Sequence, residues 1–171
     1  MNILIKSKRC YLKKLSVHDD LKQYLYWMQT PSNNPFILSA NVNFDLSNLK
    51  DFINECNNRN DVVLFGIFAN ENDLHIGNIK FDKIDLVKKS AMLGILIGDK
   101  DFRGKGFARE VILESVLWLL TQYKIDTIKL GVDPNNLNAI TLYKNMGFEI
   151  SDKSTSGGYI MTIKSTKLIG I

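Results

Sequence analysis

Arg103-Gly-Lys-Gly-Phe-Ala108 places two glycines and two cations directly before an apolar, helix-forming run. Glycines at 104 and 106 allow the backbone to turn tightly and leave bare N–H groups at a helix start. Such donors have no partner within the helix, and they sit at the positive end of its dipole, so together they form a site for an anion. Arg103 and Lys105 add full charges beside it. The chemistry expected is a diphosphate held mainly by main-chain amides. A glycine-rich turn that simply starts a helix has the same residues.

Two familiar phosphate motifs fail on spacing. Gly98 precedes Gly104-Lys105 by one residue too many for a P-loop, and Gly106 stands where the metal-binding hydroxyl belongs. A dinucleotide fingerprint needs a third glycine where Arg109 stands, and no acidic ribose partner closes a following strand. A second constellation lies downstream: Asn136-Leu-Asn-Ala-Ile-Thr-Leu-Tyr143, then Lys-Asn-Met-Gly147-Phe148. In this order and spacing, Arg-x-x-Gly-x-Ala and Asn-x-x-Ala…Tyr…Gly-Phe resemble the acyl-CoA loop and the later signature of the GNAT N-acetyltransferase superfamily. The resemblance runs from about Arg9 to Lys167. Its opening, with Cys10–Leu15 leading to Asp19, Trp27 and a proline-containing loop, is similar to the branch of ribosomal-protein N-terminal, spermidine, antibiotic and amino-sugar acetyltransferases. Ile76-Gly-Asn-Ile-Lys80 followed by Gly94-Ile-Leu-Ile-Gly-Asp99 is similar to acetyltransferases of bacterial surface-sugar pathways.

The resemblance implies acetyl-CoA as cosubstrate and no metal. It places cofactor binding at Ile95, Leu96 and Ile97, at Arg103, Gly104, Lys105, Gly106, Phe107 and Ala108, and at Asn136 and Tyr143. Around Ile95–Ile97 it implies a bulge whose backbone N–H meets the oxyanion, with this strand splayed from Thr127–Val132 to leave groups for the pantetheine arm. Tyr143 becomes the general acid toward the leaving thiolate, unless it only packs in an amphipathic helix. Asn136 either bonds the cofactor arm or only caps its helix, a role Asn fills well. Where relatives carry a Glu as general base, Met92 stands here, so a base acting through water would be His75, Asp82 or Asp85, each equally readable as a surface residue. Trp27, Phe36 and Phe44, with the loop Ser151–Tyr159, are the candidate acceptor walls; core packing explains the aromatics as well.

These residues need a scaffold, and hydrophobic spacing supplies one. Cys10–Leu15 reads as a strand. Ser16–Asp19 offers capping chemistry to a helix with Leu21, Tyr24, Leu25 and Met28 on one face, which Thr30–Pro35 must end. Asp45 or Ser47 caps a second helix carrying Leu46, Leu49, Phe52 and Ile53. Val62–Ala69, Leu74–Ile84 and Ala91–Ile97 read as strands, with a hairpin turn at Asn70–Asp73. Gly106–Lys124 is a helix, Thr127–Val132 a strand, Asn136–Met146 a helix, and Phe148–Ile150 with Tyr159–Lys167 a closing hairpin. The fold class is α/β (α+β): a GNAT-like mixed, mostly antiparallel sheet of six to seven strands, about four helices, and a splayed central strand pair.

With 171 residues, 45% hydrophobic and 23% charged, and no low-complexity divider, residues 1–171 read as one domain. Only two cysteines and two histidines argue against disulfide scaffolds and Cys- or His-based metal centres. No membrane-length apolar run or secretory leader is expected, which favours a cytoplasmic protein. The net charge of +4 is spread in short runs, unlike a nucleic-acid stripe. The reading is therefore acetyl transfer to the primary amine of a small molecule, an amino sugar or its nucleotide, by direct attack on the thioester. Alternatives are a protein N-terminal acetyltransferase and a non-catalytic acyl-CoA sensor. No nucleic-acid or membrane partner is expected, and assembly as monomer or homodimer is left open.

Overall fold

The computed structural model describes residues 4–37 and 42–170. One mixed sheet of eight strands runs in the order β1-β2-β3-β4-β5-β6-β8-β7. The strands are β1 (Leu4–Lys6), β2 (Cys10–Lys14), β3 (Val63–Ala69), β4 (His75–Asp85), β5 (Ser90–Ile97), β6 (Thr127–Val132), β7 (Glu149–Lys153) and β8 (Tyr159–Lys164). All neighbours are antiparallel except β5 and β6. A parallel pair needs a long crossover, and α3 (Phe107–Tyr123) supplies it.

Helices cover both faces, which explains why β3 is almost wholly apolar and buried and why the first half of β4 is buried even at His75 and Asn78. On one face, α1 (Lys22–Gln29) and α2 (Leu46–Asn58) bring Tyr24, Trp27, Met28, Leu49 and Ile53 against Leu15 and Leu64. On the other, α3 and α4 (Leu137–Asn145) bury Val111, Ile112, Val116, Leu119 and Ile140 against Phe65, Ile79 and Phe81. Asp45 begins α2 with a reciprocal capping box: its carboxylate accepts from Asn48 N–H and the Asn48 amide oxygen accepts from Asp45 N–H.

Three expectations need correction. The three-residue β1, too short for a periodic signal, pairs with β2 and raises the strand count to eight. The expected strand Tyr159–Lys167 ends at Lys164 and turns into α5 (Ser165–Ile169), because Ser165 N–H donates to Asp126 O at 2.7 Å and its hydroxyl to Ile125 O at 3.0 Å. That adds a fifth α-helix. Finally, Ser16 and Asp19 do not cap α1. The Asp19 carboxylate accepts from its own turn, at Ser16 N–H, and pairs with Lys13, while α1 starts at Lys22, whose N–H donates to the Asp20 carboxylate at 3.1 Å.

At the end of β5, Gly98 passes directly beneath the buried Trp27 ring: a Cβ there would lie 2.1 Å from Trp27 Cδ2. This close approach fixes α1 against the strand that leads into the glycine loop. Gly98→Ala is expected to lower unfolding stability in urea by about 1–3 kcal/mol through overpacking. Unchanged stability would mean that Trp27 does not hold this contact.

Candidate active site

β5 and β6 pair only from Ser90–Thr127 to Leu93–Leu130. Past that point β6 continues beside β8 through Val132, and β5 continues beside β4 through Ile97. Their facing edges separate, as expected for a splayed pair. Backbone groups on these edges have no strand partner, and such groups require partners of some kind. Gly94 and Gly131 lie on the diverging stretches, and a Cβ built on either meets nothing within 4 Å. The expected bulge at Ile95–Ile97 is absent: Gly77–Ile97 through Asp82–Met92 run in continuous register, and the irregularity falls between Asp82 and Asp85. Separation of the strands, with no bulge, frees the main chain here.

The carboxyl ends of both strands lead to helix starts, the usual location of ligands in α/β sheets. From β5 the chain passes through Gly98 and the short 3-10 turn Lys100–Phe102 into Arg103–Gly106 and α3. Gly104 (φ 69°) and Gly106 (φ 83°) occupy the left-handed region that favours glycine. No side chain caps α3. Among the described residues, the N–H groups of Gly104, Lys105, Gly106, Phe107, Ala108 and Arg109 meet no hydrogen-bond acceptor, and they form an electropositive helix end able to hold an anion.

Arg103 takes a different part. Its guanidinium donates to Ile97 O (2.8 Å), Gly98 O (2.9 Å), Asn33 O (3.0 Å) and Asn34 Oδ1 (2.7 Å), and its N–H to Lys100 O at 3.2 Å. The side chain ties the strand end, the glycine loop and the Pro31–Asn33 turn together. The buried Asn34 completes this tie by donating to Trp27 O at 3.1 Å. Sequence spacing gave no sign of Arg9, which reaches the loop from the β1–β2 turn. Its guanidinium donates to Lys105 O at 2.8 Å and to Glu110 at 2.7 Å, and lies 4.2 Å from the Phe107 ring centre. Burial alone would raise the Glu110 carboxyl, but hydrogen bonds from Ser7 and Arg9 outweigh it and hold the group below its usual range.

From β6 the chain enters α4, where Asn136 accepts from Ala139 N–H at 3.2 Å as the N-cap. Tyr143 is buried, with its ring 5.7 Å from that of Phe148. Burial pushes its phenol up to about 12, so it stays protonated and able to donate throughout the neutral range.

The three candidate bases separate clearly. His75 is sealed among Phe68, Trp27 and Tyr24, stacked on Phe68 at 4.7 Å, with Nε2 on Asn78 Oδ1 at 2.9 Å. Asp85 accepts from Val87 and Lys88 N–H and holds the β4–β5 turn. Asp82 lies directly across from Met92 and pairs with Lys80 at 2.8 Å. On the α1–α2 side of β5, beside Gly94–Leu96, is a cavity of about 230 Å³ walled by Tyr24, Met28, Phe44 and Phe52, with Asn78 and Lys80 as its polar members. Phe44 therefore reaches a cavity wall. Trp27 is core, Phe36 is 41% exposed, and neither Phe36 nor the Ser151–Tyr159 segment, which runs from β7 to β8, lines the cavity. Asn78 and Lys80 carried no functional signal in the sequence, because strand alternation alone places both on the cavity face. The described residues hold no cluster suited to a metal ion.

Burial lowers the His75 pKa below its ordinary 6.5. Its neutral form therefore contributes stability that is complete above about pH 6.5 and is lost as pH falls toward the folded value. Urea midpoints measured from pH 7.5 to 5 should fall, and His75→Phe should flatten that slope whatever its effect on the plateau. An unchanged slope would assign the loss to other groups.

A sequence profile described as "Acetyltransferase (GNAT) domain" matches residues 9–149. A probable spermine N(1)-acetyltransferase from Bacillus subtilis subsp. natto is 30% identical over 66 residues. That match spans 39% of this chain and 43% of the relative, less than half of either. Among solved structures, spermidine N-acetyltransferase from Vibrio cholerae in complex with CoA and spermine superposes with a TM-score of 0.82 at 20% identity, covering 94% of this chain and 98% of that one. A GNAT-family acetyltransferase from Bacillus anthracis gives 0.80 at 16% identity over 95% and 99% of the two chains. A putative ribosomal-protein-serine acetyltransferase from Vibrio cholerae gives 0.78 at 15% over 95% and 97%. At these identities the structures establish a shared fold. Through its matched residues, the chain belongs to the GNAT acetyltransferase domain family.

Proposed function

We propose that this protein transfers acetyl from acetyl-CoA to the primary amine of a small molecule, without a metal. The observation that carries the reading is the uncapped start of α3, with its run of unpaired main-chain N–H groups at the carboxyl end of a strand that has left its parallel neighbour. Gly104 to Ala108 hold the cofactor diphosphate through these amides, and Lys105 adds its charge. Arg103 acts by shaping the loop, since its guanidinium is already bonded to four protein oxygens. The free edge of Ile95, Leu96 and Ile97 bonds the pantetheine arm and offers main-chain dipoles to the carbonyl oxygen.

When bound, acetyl-CoA supplies an acyl group activated as a thioester. In the transfer the amine nitrogen bonds to the carbonyl carbon and the carbon–sulfur bond breaks. Tyr143 holds the proton needed by the departing sulfur and recovers one from solvent, while the amine nitrogen loses its own proton. A phenol at about 12 faces a free thiol value of ~8.5. The apolar surroundings that raise the phenol also raise the thiolate, which narrows the gap. Asn136, as cap of α4, positions the helix that carries Tyr143.

Two acceptor readings come from likeness. The sequence favours an amino sugar or its nucleotide, and the relatives that act on spermine or spermidine favour a polyamine. Among the described residues the cavity offers a polyamine no carboxylate wall. The two cysteines are buried and unpaired, which supports a reducing compartment.

Tyr143→Phe is expected to leave acetyl-CoA affinity by calorimetry within about twofold and to lower turnover about tenfold or more, the range of a lost general acid. Equal turnover would remove Tyr143 from the chemistry. Binding with no thiol release from acetyl-CoA in the wild type, across a panel of amines, would identify a sensor in place of an enzyme.

A further inference from the structure

The cavity beside Gly94–Leu96 has three properties that bear on the acceptor. Its walls are mainly the side chains of Tyr24, Met28, Phe44, Phe52 and Leu64. Its one charged member among the described residues is Lys80, whose ammonium sits 2.8 Å from Asp82 and 5.7 Å from the Phe52 ring centre. Its buried polar member is Asn78, only 5% exposed: Oδ1 is taken by His75, and Nδ2, although without a partner, is itself sealed off, so Asn78 gives the cavity no accessible donor. The volume, about 230 Å³, is below the roughly 300–1,000 Å³ of pockets for drug-sized ligands.

We infer that the acceptor is a monoamine on a compact apolar body. This rests on the acetyl-transfer reading, since it assigns the cavity to that reaction's second substrate. A hydroxyl-rich sugar would bury several polar groups against walls that cannot bond them. A polyamine would bring a second ammonium toward the fixed Lys80 charge with no carboxylate beyond its partner Asp82 to receive it. An apolar monoamine matches the walls and brings no second charge toward Lys80.

The same lining addresses the missing base at Met92. Apolar walls and a neighbouring cation both disfavour an ammonium. The charged and titratable groups around the cavity are Lys80, its partner Asp82, the Tyr24 phenol and, behind Asn78, His75. The acceptor therefore leaves its first proton in solvent and attacks as a free amine. As the carbon–nitrogen bond forms and the carbon–sulfur bond breaks, the nitrogen sheds one proton to solvent and the sulfur gains one from Tyr143, which solvent restores. One proton moves from nitrogen to sulfur overall.

The test uses the full chain with acetyl-CoA and reads thiol release for four probes: phenylalaninamide, 2-phenylethylamine, spermidine and glucosamine. Both aromatic amines should exceed spermidine and glucosamine in kcat/KM by about tenfold or more. Lys80→Met should raise spermidine's kcat/KM roughly tenfold. The wild-type ranking decides the matter even where a variant fails to fold. Spermidine or glucosamine overtaking both aromatic amines overturns the inference, as does an unchanged spermidine kcat/KM in folded Lys80→Met. CoA binding by calorimetry with no turnover of either aromatic amine overturns this assignment alone. Absence of CoA binding removes the acetyl-transfer reading itself.

Discussion

Main-chain polar groups in a folded interior must find partners, and β5 and β6 stop being each other's partner after Leu93 and Leu130. β4 and β8 secure the outer edges of the two strands. The inner edges are left without a strand partner, and the proposed function gives them to the cofactor's pantetheine arm. Much of the fold serves to keep the two strands apart. Gly94 and Gly131 put no side chain into the gap. Each strand then turns into its own helix, with α3 and α4 starting at the open end.

Holding the strand end open requires a firm anchor, and Arg103 supplies it. Its side chain bonds two carbonyls at the end of β5 and two oxygens of the Asn33–Asn34 segment, and charge-assisted bonds of this kind are the stronger ones. An arginine beside a phosphate-type loop is easily read as an anion ligand. Here its donors are used within the protein, and the proposed function leaves direct contact with the diphosphate to the amides and to Lys105. Arg9 follows a similar pattern, since Glu110 offsets its charge and its second bond goes to Lys105 O. Arg103 keeps its full positive charge, because its four partners are uncharged oxygens, so the loop is electropositive through Arg103, Lys105 and its backbone together.

The elements legible in the sequence were those with long periodic runs: α2, α3, α4, β3, β4, β5 and β6. The helix starts at Gly106 and Asn136 were legible because left-handed and capping positions demand particular residues. β1 was invisible because three residues carry no period, and α5 because Ser165 is diverted by carbonyls some forty positions away in the chain. The splay was expected, whereas the expected bulge was not found. Arg9, Asn78 and Lys80 stayed hidden for a common reason: their roles depend on which strand or helix lies opposite, a tertiary fact. Leu38–Asn41, inside the stretch expected to shape acceptor choice, lies outside the described residues.

The central claim is that the unpaired amides from Gly104 onward grip a diphosphate. Calorimetric titration of the folded protein with CoA, set beside pantetheine, which lacks the diphosphate, tests it most directly. Hydrogen bonds to a charged group contribute about 1.5–3 kcal/mol each, so CoA should bind saturably and pantetheine at least about 100-fold more weakly. Equal affinity for the two, or no heat with CoA, would contradict the account.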